Sequence, residues 1–118
     1  MRYVLFCCAD ERALAALPQA EWQAVLCATR AYVDELRSRG RLIASEALES
    51  AYAATTIRTR GGKLSTTDGP FAETKEQVRG LFIIEAHDLD DALHVAAGFP
   101  SARHGSIEVR PIRQSRNA

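Results

Sequence analysis

Two stretches of the chain are apolar on both parities, and the remaining pattern is arranged around them. Residues 2–8, RYVLFCC, and residues 78–86, VRGLFIIEA, carry β-forming side chains that would point to both sides of a strand. Strands of that kind belong in the middle of a sheet. Between them, Trp22, Val25, Leu26, Thr29, Tyr32, Val33 and Leu36 recur with the period of one helix face. The predicted helix has Pro18 at its first position and Glu21 in its first turn. It stops at Gly40 after Arg37 and Arg39, where cations suit the helix dipole. Residues 10–17 form a connector able to hold a helical turn.

Residues 42–48 read as a strand with Leu42, Ala44, Glu46 and Leu48 on one side and Ile43, Ser45 and Ala47 on the other. Two β-rich runs, TTIRTR and KLSTT, then flank Gly61-Gly62. A two-residue hairpin turn needs positive φ, which glycine reaches without strain, so the pair predicts a hairpin. Its register sets Ile57 opposite Thr66, Thr59 opposite Leu64 and Arg60 opposite Lys63, and like charges at the tip imply a solvated end. Asp68-Gly69-Pro70 ends the hairpin, since proline lacks the amide a ladder requires. Asp88 caps a second helix, with Asp91 at capping-box spacing, a core face of Leu89, Ala92, Leu93 and Ala96, and an end at Gly98 before Pro100. Residues 106–112 alternate Ile107 and Val109 inward with Glu108 and Arg110 outward, as a half-exposed edge strand does.

The order is strand, helix, strand with an inserted β-hairpin, strand, helix, strand. This predicts an α+β fold, a ferredoxin-like βαββαβ arrangement with the two apolar strands central and both helices on one face. The opposite face would be bare. Cys7 or Cys8, Phe82 and Ile84 are expected there and are too apolar to meet water, so a homodimer with sheets packed face to face is expected.

Composition adds mainly exclusions. The chain has 118 residues, 47% of them hydrophobic and 25% charged, which suits one globular domain. Lys plus Arg and Asp plus Glu both number 15. That balance speaks against direct nucleic-acid binding, which leaves a basic footprint. The one local excess, Arg103, Arg110, Arg113 and Arg116, reads as a frayed basic end. With neither a signal-peptide pattern near the N-terminus nor a run long enough to span a membrane, a cytoplasmic protein without membrane partners is expected. The three cysteines, an odd number, fit a reducing compartment and read as core filler.

The densest chemistry lies in residues 66–77, TTDGPFAETKEQ. Asp68 reads as a turn residue whose carboxylate accepts nearby amides, or as a general base held at a cleft rim by a rigid turn. Phe71 reads as a core plug, or as a platform for a ligand. Glu73, Lys75 and Glu76 read as a solvated charge run, or with Asp68 as charges that orient a small polar molecule. His104, before Gly105 at the start of the last strand, is either a surface residue or a base titrating near neutral pH. His87 and His94 make no metal-ligand spacing, so no metal is expected. Gly61-Gly62-Lys63 lacks the pattern of a phosphate loop, and neither a nucleophile elbow nor a dinucleotide fingerprint occurs, so no cofactor is expected.

At TTDGPFAETKEQ, and again at IIEAHDLDDAL and SARHGSIEVRPI, the chain resembles the YCII-related superfamily in its DGPF-domain branch. The resemblance runs from RYVLFCC to Pro111 and implies a single YCII-related (DGPF) domain, with residues 1–113 as its expected bounds; the frayed basic end then leaves a flexible C-terminal tail expected at 114–118. The resemblance also implies a dimeric α/β barrel of ferredoxin-like subunits. Most members of that branch have no established activity, and many are encoded beside extracytoplasmic-function sigma factors. Other YCII-like proteins include small lyase or dehalogenase-like enzymes with a proposed His-Asp pair, which is not carried over onto residues of this chain. The sequence departs from the family pattern at Arg79-Gly80-Leu81, where Gly-Gly-Phe is usual, and at Val95, where tryptophan is common.

Two functions are compatible with these residues. One is a dimeric module that binds a small-molecule ligand or a protein partner such as an extracytoplasmic-function sigma factor. The other is a cofactor-free lyase, isomerase or hydrolase acting on a small polar or aromatic molecule. In that case Asp68 or His104 would carry the proton, Glu73 and Lys75 would orient the substrate, Phe71 would line the site and Arg110 would meet an anionic group. The module is favoured, because no nucleophile, metal set or cofactor fingerprint emerges.

Overall fold

The two doubly apolar stretches form the central strands of a four-stranded antiparallel sheet. The computed structural model of the protein describes residues 1–114. Its elements are β1 (Arg2–Ala9), α1 (Glu11–Ala15), α2 (Gln19–Ser38), β2 (Leu42–Ala47), β3 (Thr55–Arg60), β4 (Lys63–Asp68), β5 (Gln77–Glu85), α3 (Leu89–Ala97) and β6 (Ser106–Pro111), with 3-10 turns at Ala51–Ala53 and Pro100–His104. The main sheet runs β2-β5-β1-β6, while β3 and β4 form a two-stranded sheet of their own. This mixed α+β arrangement is consistent with a ferredoxin-like topology. Residues 115–118, the larger part of the expected tail and including Arg116, lie outside the described residues.

The core lies between the sheet and the helices. Tyr3, Leu5, Cys7 and Ala9 of β1 are buried, as are Phe82 and Ile84 of β5, and they meet Leu36 of α2 and Ala92, Val95 and Ala96 of α3. Tyr3 pairs with Ile84 and Leu5 with Phe82, so both strands send their buried residues to the same side. Phe82 and Ile84 are therefore under the helices, not on the bare face. That face instead carries Val4, Phe6, Cys8, Leu81 and Ile83, all half-buried. When both parities are apolar, strand alternation does not tell which set meets the helices.

Two further expectations change for local reasons. The pairing of β2 with β5 shifts between Leu42 and Ala44, so Leu42 partners Ile84 and Ala44 partners Ile83. An extra residue in one strand sends these two to opposite faces. On α3 the buried set is Ala92, Val95 and Ala96, while Leu89 and Leu93 are exposed. Asp88 does cap α3, accepting the Asp91 amide at 2.9 Å. Asp91 in turn accepts the His87 amide at 2.9 Å and Arg41 Nη2 at 2.8 Å, which ties the helix start to the entry of β2.

The end of α2 is closed by a Schellman pair, Gly40 N–H donating to Arg37 O at 3.0 Å and Arg41 N–H to Leu36 O at 2.8 Å. At the hairpin, Gly61 and Gly62 have φ of 58° and 76°, and Ile57 pairs with Thr66, Thr59 with Leu64 and Arg60 with Lys63. Among the described residues no helix is long and apolar enough to cross a membrane.

Candidate functional site

The corner after β4 is a fixed loop hung on the hairpin root. Gly69, at φ 111°, turns the chain in a conformation that a side chain would strain. Its amide donates to Ala54 O at 2.7 Å, and its carbonyl accepts Thr56 Oγ1 at 2.9 Å. Further along, Gln77 Nε2 donates to Ala72 O at 2.9 Å and to Thr74 O at 3.0 Å, while Thr74 Oγ1 donates to Glu76 O at 2.6 Å. Phe71 is 78% exposed, so it is not a core plug. The Arg58 guanidinium sits over its ring, 5.5 Å from the centroid.

A second fastening joins the other side. Glu11 in α1 accepts Ser50 Oγ at 2.6 Å and the Ala51 amide at 2.7 Å, with Arg79 Nη1 at 3.6 Å. These bonds dock the 3-10 turn at Ala51–Ala53 against the end of β1 and the start of β5. The Ala51 amide, then the Ser50 hydroxyl, and Arg79 hold the Glu11 carboxyl below its ordinary value of 4.5. A carboxyl with a depressed folded-state pKa adds stability that is complete above the unfolded value and disappears as pH falls through the folded value. Glu11→Gln is therefore expected to lower the urea midpoint at pH 7, and the gap to the wild type should narrow progressively below about pH 4.5. A gap that stayed constant down to acid unfolding would count against this role.

Between the two fastenings lies a cleft of about 780 Å³, walled by Asp10, Glu11, Arg12, Tyr52, Asp68, Gly69, Pro70, Glu73 and Lys75. An adjoining cleft of about 680 Å³ is lined by Cys8, Leu48, Ala54, Phe71 and Val78, and shares Ala51, Pro70, Thr74 and Gln77 with the first. The structure thus brings Asp68, Glu73 and Lys75 together and puts Phe71 next door. His104, at the end of the 3-10 turn Pro100–His104, lines neither cleft. Arg110 lies on β6, where it pairs with Glu108 and stacks over Phe6 on the uncovered sheet face, 5.7 Å from the ring centroid.

The charges in the first cleft divide by role. Asp10 caps α1, accepting the Arg12 amide at 3.0 Å, and Glu11 is engaged as described. Among the described residues no group donates a hydrogen bond to the Asp68 carboxylate, so it is not an amide-accepting turn cap; the Gly69 amide, donating to Ala54 O, and the Thr56 hydroxyl, donating to Gly69 O, hold the turn instead. Glu73 and Lys75 make no ion pair there either. Gln77 lies within residues 66–77, where the sequence pattern puts the site, whereas Glu11, Ser50 and the exposed Tyr52, which complete the frame, lie outside it. Among the described residues no three of His, Cys, Asp or Glu gather as metal ligands.

A small α+β domain with a four-stranded antiparallel sheet and a rigid Asp-Gly-Pro corner facing a cleft is the class these features define. The family model of the YCII-related domain matches residues 1–116, and the chain belongs to that family. It is also 36% identical, over 114 residues, to an uncharacterized protein of Rhizobium meliloti (strain 1021), covering 95% of this chain and 92% of that protein.

Proposed function

We propose that the chain is a homodimeric binding module that holds a small polar molecule in the cleft beside Asp68. The observation that carries this reading is a pair of carboxylates, Asp68 and Glu73, and an ammonium, Lys75, standing without protein partners among the described residues on a fixed loop at a cleft of about 780 Å³. Preset opposite charges recognise a ligand at little ordering cost. A proton-transfer enzyme is the weaker reading: of its alternative carriers only Asp68 lines the cleft, His104 lines neither, and no nucleophile, metal set or cofactor fingerprint emerges from the sequence. The half-buried apolar row of Val4, Phe6, Cys8, Leu81 and Ile83 supports pairing of two sheets face to face into an α/β barrel. Family resemblance makes an extracytoplasmic-function sigma factor the protein partner to seek by copurification.

A thermal-shift screen of small zwitterionic and polar compounds, followed by calorimetry, tests the site. Asp68→Asn is expected to weaken the best binder about tenfold or more, the scale of one charge-assisted hydrogen bond, without changing the unliganded melting temperature. Binding that survives both Asp68→Asn and Lys75→Ala would remove the cleft from consideration. Sedimentation equilibrium tests the assembly. Phe6→Glu is expected to give monomer at concentrations where the wild type is dimeric, because the new carboxylate would be desolvated at that interface directly opposite Glu108, which already engages Arg110.

A further inference from the structure

The hairpin of β3 and β4 stands apart from the body of its own chain. Every residue of β4 is exposed. Among the described residues, the two strands pack extensively only on each other. Alternation gives the hairpin two unlike faces. Thr55, Ile57, Thr59, Leu64, Thr66 and Asp68 share one, and the basic residues Arg58, Arg60 and Lys63 lie on the other. On the first face Ile57 is 64% exposed and Leu64 is 67% exposed. A two-stranded hairpin alone in water is marginal, and apolar cover is what stabilises it.

The dimensions of the molecule carry the same message. The Cα radius of gyration is 16.3 Å, against about 13.5 Å for a compact chain of this length. The accessible surface is 8396 Å², roughly 2,000 Å² above the value of about 6,300 Å² that scaling gives for a monomer of this mass. Two copies hiding that surplus would bury on the order of 4,000 Å², within the range of obligate homodimers. The apolar row on the open sheet face is already half-buried and supplies only part of it.

We infer that the Ile57 and Leu64 face of the hairpin lies against a second copy of this chain, and that the second copy thereby roofs the first cleft. Asp68 makes the link: it ends the same hairpin face and is also a wall of the cleft. A zero net charge lets two copies meet without overall repulsion. Under two-fold symmetry each arm engages the other subunit, so both clefts are completed reciprocally. The inference rests on the homodimer proposed above and adds the arm and the shared cleft to it.

Hydrogen exchange on the full-length protein, read alongside sedimentation, tests it. In the wild-type dimer the hairpin amides should be protected about a hundredfold or more over free-peptide rates, and that protection should vanish on dilution to monomer. The double variant Ile57→Glu, Leu64→Glu should raise the dimer dissociation constant about tenfold or more and expose the same amides. A dimer whose hairpin exchanges freely, or a double variant that dimerises like the wild type, would overturn the arm contact while leaving the sheet-face dimer, probed by Phe6→Glu, in place. A wild type that stays monomeric at every concentration would overturn both.

Discussion

Gly105→Ala is expected to destabilise the protein by about 3 kcal/mol or more, near the top of the range for overpacking, in urea titrations at fixed protein concentration. The reason is space, not conformation. Gly105 has φ 179°, extended backbone open to any residue. A Cβ there would lie 2.0 Å from Cys8 O and 3.1 Å from Ala9 Cα. Both neighbours are backbone, so no side chain can rotate away. Relief requires β6 to lift off β1 just where Ser106 pairs with Cys8, and Cys8 also lines the second cleft. Gly61→Ala provides the contrast: it sits at φ 58° with nothing within 4 Å of an added Cβ, so its cost should stop at the backbone penalty of about 1 kcal/mol. Equal effects at the two positions would mean that the close approach at Gly105 is absent.

What sequence reading can see is local, and the fold divides along that line. The Gly61-Gly62 turn and the Asp88 cap follow from backbone requirements of neighbouring residues, and both lie where the pattern put them. The central place of β1 and β5 follows from their being apolar on both parities. The same property hides which parity faces the helices, and Phe82 and Ile84 consequently stood on the wrong side of the expected sheet. The bulge that separates Leu42 from Ala44 leaves no mark in composition. A helix of nine residues such as α3 is too short for its period to choose between Leu93 and Val95, and the packing against β1 and β5 chooses Val95.

The site shows the same division. Asp68-Gly69-Pro70 announces a corner because its residue types restrict φ and ψ on the spot. The residues that fasten the corner and its facing wall do so across long separations, Glu11 with Ser50 and Ala51 being about forty positions apart in sequence. No spacing rule reaches that far. His104 and Arg110 were chosen for their chemistry, but the start and the face of β6 decide where they sit, and neither lines the cleft.

Phe99→Ala is expected to cost about 3–5 kcal/mol, the range for removing a buried aromatic. Lying between Gly98 and Pro100, Phe99 has the sequence setting of a surface loop and attracts no attention as core. In the structure it is 1% exposed, stacks on Phe82 with centroids 4.3 Å apart and meets Tyr32 edge-on at 4.8 Å. It therefore joins the sheet to α2 at the point where α3 hands over to the 3-10 turn Pro100–His104. Tyr32 is held there by donating its hydroxyl to Val95 O at 2.7 Å, so it is not free to collapse into the vacated volume. That is why the full cavity cost should appear. Phe99→Leu keeps most of the volume and should lose only about 1–2 kcal/mol. Urea midpoints for the two variants at one protein concentration separate the cases. If Phe99→Ala fell within about 1 kcal/mol of Phe99→Leu, Tyr32 and Phe82 would have to close the gap themselves, and the three-way contact would not be what docks α2 on the sheet.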